Sequence, residues 1–89
     1  MSLKREVTIL NRQGMHARPA MQLMKTSNRF ESTIWIHKGS QQVDAKSIME
    51  VMTLEAVKGT ILTLEAEGHD AAEALEALDQ LIKSKFDED

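Results

Sequence analysis

Thr33-Ile34-Trp35-Ile36-His37-Lys38-Gly39-Ser40-Gln41-Gln42-Val43-Asp44-Ala45 is the stretch that decides the fold class. Ile34 and Ile36 alternate with Thr33, Trp35 and His37, the period of two expected of a half-buried strand. Lys38-Gly39-Ser40 is a turn and Gln41–Ala45 reads as a short partner strand, so the segment predicts an antiparallel hairpin. A sheet with one apolar face needs cover. Upstream, Val7 and Ile9 alternate within a first strand over Lys4–Leu10, which Asn11-Arg12-Gln13-Gly14 breaks. A helix follows from Ala17 to Asn28, with Ala20, Leu23, Met24 and Ser27 spaced to share a face. Downstream, residues 47–54 read as a short helix, and Lys58-Gly59 turns the chain into a strand over Thr60–Glu67, which Gly68 ends. Asp70 and Glu73 make an Asp-x-x-Glu capping signal for a last helix. Its apolar face is Ala71, Leu75, Leu78 and Ile82, with Glu73, Glu76 and Asp79 mostly on other faces. The predicted order is β-α-β-β-α-β-α. This is an α+β open-faced sandwich, with four mainly antiparallel strands covered on one face by three helices.

Eighty-nine residues suit one domain over 1–89. Residues 1–3 read as a disordered or vector-derived end, and 87–89 as an acidic tail, so that Phe86-Asp87-Glu88-Asp89 is expected to be solvated. Phe30, Trp35 and Phe86 are the only aromatic residues, which leaves the core to aliphatic side chains. With no cysteine, disulfides and thiol catalysis are excluded, and a reducing compartment fits. The apolar runs fall far short of the roughly 20 residues of a membrane helix. A cytoplasmic protein without membrane insertion is expected. The net charge of −3 conceals an asymmetry. Residues 1–46 carry eight Lys/Arg against three Asp/Glu, net +5, and residues 47–89 three against eleven, net −8. The basic residues are dispersed, without aromatic interleaving, which argues against nucleic acid and for a local positive field around an anionic substrate or acidic partner.

One heptapeptide carries chemistry: Gly14-Met15-His16-Ala17-Arg18-Pro19-Ala20. Proline is tolerated in the first turn of a helix, so the helix starts near Ala17 and His16 falls at or just before its N-terminus. The free amides of Ala17 and Arg18 and the positive end of the helix dipole form an anion site there. The Arg18 guanidinium can fork onto two phosphate oxygens. The same positive surroundings disfavour a second positive charge on the imidazole and favour a phosphoryl group on it. On spacing alone, His16 as a plain helix-flanking residue beside a solvated Arg18 stands equally open. His37, in a strand, and His69, in a turn, lack a second ligand at metal spacing, so neither a metal nor another cofactor is expected.

The heptapeptide resembles the active-site motif of the HPr family, the histidine-containing phosphocarriers of the bacterial sugar phosphotransferase system. The resemblance continues at Lys46-Ser47-Ile48-Met49-Glu50-Val51-Met52, at Lys58-Gly59-Thr60 and at Glu67-Gly68, and so spans nearly the whole chain. It implies that His16 accepts a phosphoryl group from phospho-enzyme I and passes it to an enzyme IIA domain, with Arg18 stabilising the phosphate. Such a carrier is expected to be a monomer and no true catalyst, because each half-reaction leaves it modified. Gln13 stands where relatives often have Ser, Thr or Asn near the phosphate.

Ser47 matches the family position that a serine kinase/phosphorylase modifies in many bacteria, yet Ser47-Ile48-Met49-Glu50 is also a Ser-x-x-Glu capping box, which explains Ser47 without regulation. Relatives usually carry Gly or Lys at Glu50. A soft apolar docking patch is expected from Met15, Ala17, Ala20, Met21, Ile48, Met49 and Met52, whereas Met24 reads as core. Met15, Met21 and the acidic tail are similar to the nitrogen-branch paralogue NPr, and Lys46–Met49 to the sugar branch. The competing reading is a nitrogen-branch or regulatory protein whose phosphorylation state is sensed by a transcription regulator or kinase. A small phosphohydrolase of acylphosphatase type fits the size but not the placement of Asn11 and Asn28.

Overall fold

The computed structural model describes residues 2–88. Strands β1 (Leu3–Thr8), β2 (Thr33–Lys38), β3 (Gln41–Asp44) and β4 (Ile61–Glu67) form a sheet in the order β1-β4-β2-β3, with every pairing antiparallel. Helices α1 (Ala17–Ser27), α2 (Ile48–Met52) and α3 (Ala71–Lys83) pack on one side, and a 3-10 turn follows at Lys85–Asp87. The open-faced sandwich expected from the periodicities is the one that forms, with element ends shifted by at most two residues.

Register explains why one face is apolar. Ile36 pairs with Val43 on one side and Leu64 on the other, Ile34 with Ala66, and Val7 with Leu62. All of these are buried beneath the helices. Their neighbours along the strands form the open face, where Lys4, Glu65, Trp35 and Asp44 make one cross-strand row. Leu62, Leu64, Leu78, Ile82, Leu23 and Val51 are fully enclosed, each contributing about 1.5–3 kcal/mol by the burial of apolar area.

The helices depart from expectation in detail. α1 buries Ala20, Leu23 and Ser27 as the spacing predicts, but Met24 is only half-buried and Pro19 takes a buried place instead. α3 buries Ala71, Leu75, Leu78 and Ile82, and also Asp79, which charge patterning assigns elsewhere. Asp79 is accommodated because β1 is an edge strand whose Arg5 reaches α3. The Asp79 Oδ2 accepts from Arg5 Nη1 at 3.1 Å and pairs with Lys83 Nζ at 3.2 Å, while Arg5 also binds Glu76 at 3.0 Å.

Asp70 does not cap α3 through its side chain. Its carboxylate instead accepts the amides of Glu31 and Ser32, each at 2.9 Å, and the Ser32 hydroxyl.

The expected loose ends are built in. Ser2 donates its hydroxyl to Glu65 at 2.8 Å and Leu3 pairs with Ala66. Phe86 is 1% exposed within the core, so the chain turns back at 85–87 rather than running into solvent. Residues 1 and 89, assigned to those ends, lie outside the described residues.

Candidate functional site

The segment that carries His16 is pinned before it arrives. Ile9 exchanges backbone bonds with the 59–60 turn, Ile9 N with Thr60 O at 2.9 Å and Gly59 N with Ile9 O at 2.8 Å. Met15 N then donates to Ala56 O at 2.7 Å. Gly14 makes this close approach possible. Its φ is +69°, and a Cβ there would lie 2.4 Å from Ala56 O and 2.8 Å from Val57 Cα. Only a residue without Cβ satisfies both demands.

His16 is the N-cap of α1, with φ −88° and ψ −170°, and its carbonyl accepts Ala20 N at 3.0 Å. No side chain caps the helix. The amides of Ala17 and Arg18 therefore open α1 toward a ligand, and Pro19 has no N–H to leave unpaired. Ala17 and Arg18 are exposed. Arg12, Gln13, His16, Arg18 and Glu88 line a cleft of about 230 Å³. The structure thus brings His16, Arg18 and Gln13 to one cleft.

Glu88 is the residue that sequence reasoning missed. The His16 side chain is 34% exposed, and its Nε2 lies 2.9 Å from Glu88 Oε1 and 3.3 Å from Oε2. The fully buried Asn11 donates Nδ2–H to the same Oε1 at 2.9 Å and to Gly14 O at 2.7 Å. The hydrogen bond from His16 is the main cause holding the Glu88 carboxyl below its usual range, helped by Asn11 and by the nearby Arg18 charge, against the opposing effect of desolvation. An ionised carboxylate only accepts, so His16 Nε2 is the donor in this hydrogen bond. Nothing in a terminal Asp-Glu-Asp run announces such a contact. The one available signal is Phe86, an aromatic residue in a chain with only three.

The expected docking patch divides. Met15 and Ala20 are buried and do not belong to it: Met15 follows the pinned Gly14 into the core, and Ala20 faces the sheet from the covered side of α1. Ala17, Met21, Met49 and Met52 are exposed, and Ile48 is half-buried against the core. α1 packs against α2, so these side chains lie on neighbouring helices. Ser47 is the N-cap of α2 and accepts Glu50 N at 3.3 Å. The reciprocal half of the capping box is absent, because Glu50 Oε1 accepts Asp44 N at 3.0 Å and Ser47 N donates to Asp44 O at 3.1 Å.

The other histidines each meet one carboxylate, His37 Nε2 with Glu65 at 2.7 Å and His69 Nε2 with Glu31 at 2.5 Å. The Ser2 hydroxyl, and then His37, hold the Glu65 carboxyl below its ordinary value.

Comparison with known proteins identifies the family. The family model described as "PTS HPr component phosphorylation site" matches residues 3–84. The chain is 43% identical over 86 residues to the phosphocarrier protein HPr of Neisseria meningitidis serogroup A, covering 97% of both chains. It is 42% identical over 91 residues to the phosphocarrier protein NPr of Proteus mirabilis, covering 100% of both. The crystal structure of HPr-C-His from Thermoanaerobacter tengcongensis superposes with a TM-score of 0.94 at 44% identity, covering 98% of each chain. A pinned histidine at an uncapped helix start, in this fold and with these relatives, places the chain in the HPr family of the phosphotransferase system.

Proposed function

We propose that this chain is a phosphocarrier in which His16 takes a phosphoryl group from phospho-enzyme I and hands it to an enzyme IIA domain. The observation that carries the reading is the placement of a partly exposed imidazole at the side-chain-uncapped opening of α1, with Arg18 lining the same cleft. A phosphoryl dianion there meets the Ala17 and Arg18 amides, the helix dipole and a guanidinium, each of which favours negative charge. Little covalent chemistry is asked of the protein, because phosphoryl transfer depends mainly on alignment and charge stabilisation. The chain acts stoichiometrically rather than as a catalyst. None of its helices is long and apolar enough to cross a membrane among the described residues, and it works in the cytoplasm as a monomer.

Ala17, Met21, Ile48, Met49 and Met52 form the surface that meets both partners. Flexible thioethers suit a face that has to accept more than one complementary shape. Ser47 serves α2 as its cap, and the bond from Glu50 N supports that role. The regulatory role of Ser47 rests on the family resemblance.

Phosphoenolpyruvate with enzyme I is expected to place one acid-labile, base-stable phosphate on each chain, and His16→Ala to abolish it. Equal labelling of the His16→Ala variant would reject the assignment. HPr- and NPr-named relatives match at 43% and 42% identity. The branch is therefore to be read from which enzyme IIA, sugar or nitrogen, discharges the labelled protein.

A further inference from the structure

Lys85, Phe86 and Asp87, three consecutive residues other than glycine, hold φ of 58°, 56° and 58°. Left-handed backbone is unfavourable for an L-residue because of its Cβ, so such a turn persists only where its surroundings over-determine it. Phe86 holds it from inside, buried in the core. Asn11 holds it at its far end, with its Nδ2–H given to the same Glu88 oxygen that faces His16 Nε2. The family match stops at residue 84, immediately before this turn.

We propose that Glu88 is a positioning residue for His16, keeping the ring proton on Nε2 so that Nδ1 presents the lone pair that takes the phosphoryl group. The inference rests on the proposed role of His16. In the transfer, His16 Nδ1 attacks the phosphorus of a phosphohistidine on enzyme I. The new N–P bond forms as the old one breaks, and the bonding pair leaves with the donor ring. A donor ring protonated on its far nitrogen departs neutral, and His16 becomes the ring that bears the phosphoryl group on Nδ1 and a proton on Nε2. No proton has to move. The positive charge that develops on the His16 ring lies against the Glu88 carboxylate. Arg12 and Arg18, the cations lining the same cleft, oppose that ring charge and attract the phosphoryl oxygens. The hydrogen bond with His16 holds the Glu88 carboxyl below its usual range, which keeps it ionised and an acceptor at neutral pH. When the carrier discharges, the proton still on Nε2 makes the ring a better leaving group, by the same balance in reverse.

The test compares wild type, Glu88→Ala and Glu88→Gln, each labelled with ¹⁵N and each charged by phospho-enzyme I made from phosphoenolpyruvate. Wild-type His16 is expected to show a protonated Nε2 and an unprotonated Nδ1 by ¹⁵N NMR, and Glu88→Ala a mixture of tautomers. The kcat for transfer is expected to fall about tenfold in Glu88→Ala with KM for enzyme I unchanged, the size of a lost charge-assisted hydrogen bond at a partly exposed site. Glu88→Gln, which preserves shape and can still bond Asn11, is expected to recover only part of the rate. An Ala variant with wild-type kcat, a loss confined to KM, or full recovery by Gln would each overturn the proposal. Failure of wild type to accept phosphate at His16 would reject the function itself and is read separately.

Discussion

Asp70 reaches back 38 residues to Ser32, accepting its amide at 2.9 Å and its hydroxyl as well, and so ties the start of α3 to the loop that follows α1. The Ser32 hydroxyl is the main cause that lowers the Asp70 carboxyl from 3.8 to about 2, with the Glu31 and Ser32 amides adding to it. A carboxyl whose value is lower folded than unfolded stabilises the fold above the unfolded value. That contribution is lost as pH falls through the window from 3.8 to about 2. Asp70→Asn is therefore expected to lower the thermal midpoint at pH 7, with the difference from wild type shrinking to near nothing below pH 2. Thermal melts over that range check it, and a gap that stays constant with pH would show that the charge plays no part.

Gly14 sets the direction in which His16 leaves the loop. Gly14→Ala forces a side chain into left-handed backbone and against Ala56 O. The expected loss is about 2–4 kcal/mol, from backbone strain and overpacking together. The same change moves His16 relative to α1, so phosphoryl transfer is expected to fall by more than the unfolded fraction explains. Urea denaturation and a transfer assay on the folded fraction separate the two effects.

Met49 is 79% exposed, and a surface substitution at such a position usually changes stability by no more than about 0.5 kcal/mol. Met49→Glu is expected to leave the melting curve in place while raising KM for enzyme I with kcat little changed. That is the pattern of lost docking without lost chemistry. An unchanged KM would remove Met49 from the docking surface.

Local patterns carried most of the architecture. Ile34 and Ile36 announced β2, Leu75, Leu78 and Ile82 announced the buried side of α3, and Pro19 located the start of α1 beside His16. The misreadings share a physical cause. Asp70, Asp79, Glu50 and Glu88 are acidic residues whose local context suggests a cap or a solvated face. Their partners lie on other elements: Ser32 for Asp70, Arg5 for Asp79, the Asp44 amide for Glu50, and His16, 72 residues away, for Glu88. A carboxylate satisfied by tertiary contact leaves no periodic signature. Met15 and Ala20 failed as docking residues for a related reason, since nearness to His16 along the chain does not say which side of the backbone faces water.

The turn at 85–87 offers a last test, because its strain and its anchor can be separated. Phe86→Ala empties a fully buried aromatic site and is expected to cost about 3 kcal/mol, releasing Glu88 from His16. Lys85→Gly acts in the opposite direction. Lys85 is exposed with φ 58°, and glycine adopts that backbone without the penalty of a Cβ. After the larger entropy glycine loses on folding, the net gain is expected to be up to about 1 kcal/mol. Denaturation midpoints of the two variants check this contrast, and ¹⁵N spectra of His16 show whether the carboxylate has left. If Lys85→Gly destabilises the protein as Phe86→Ala does, the left-handed turn is not where the strain resides.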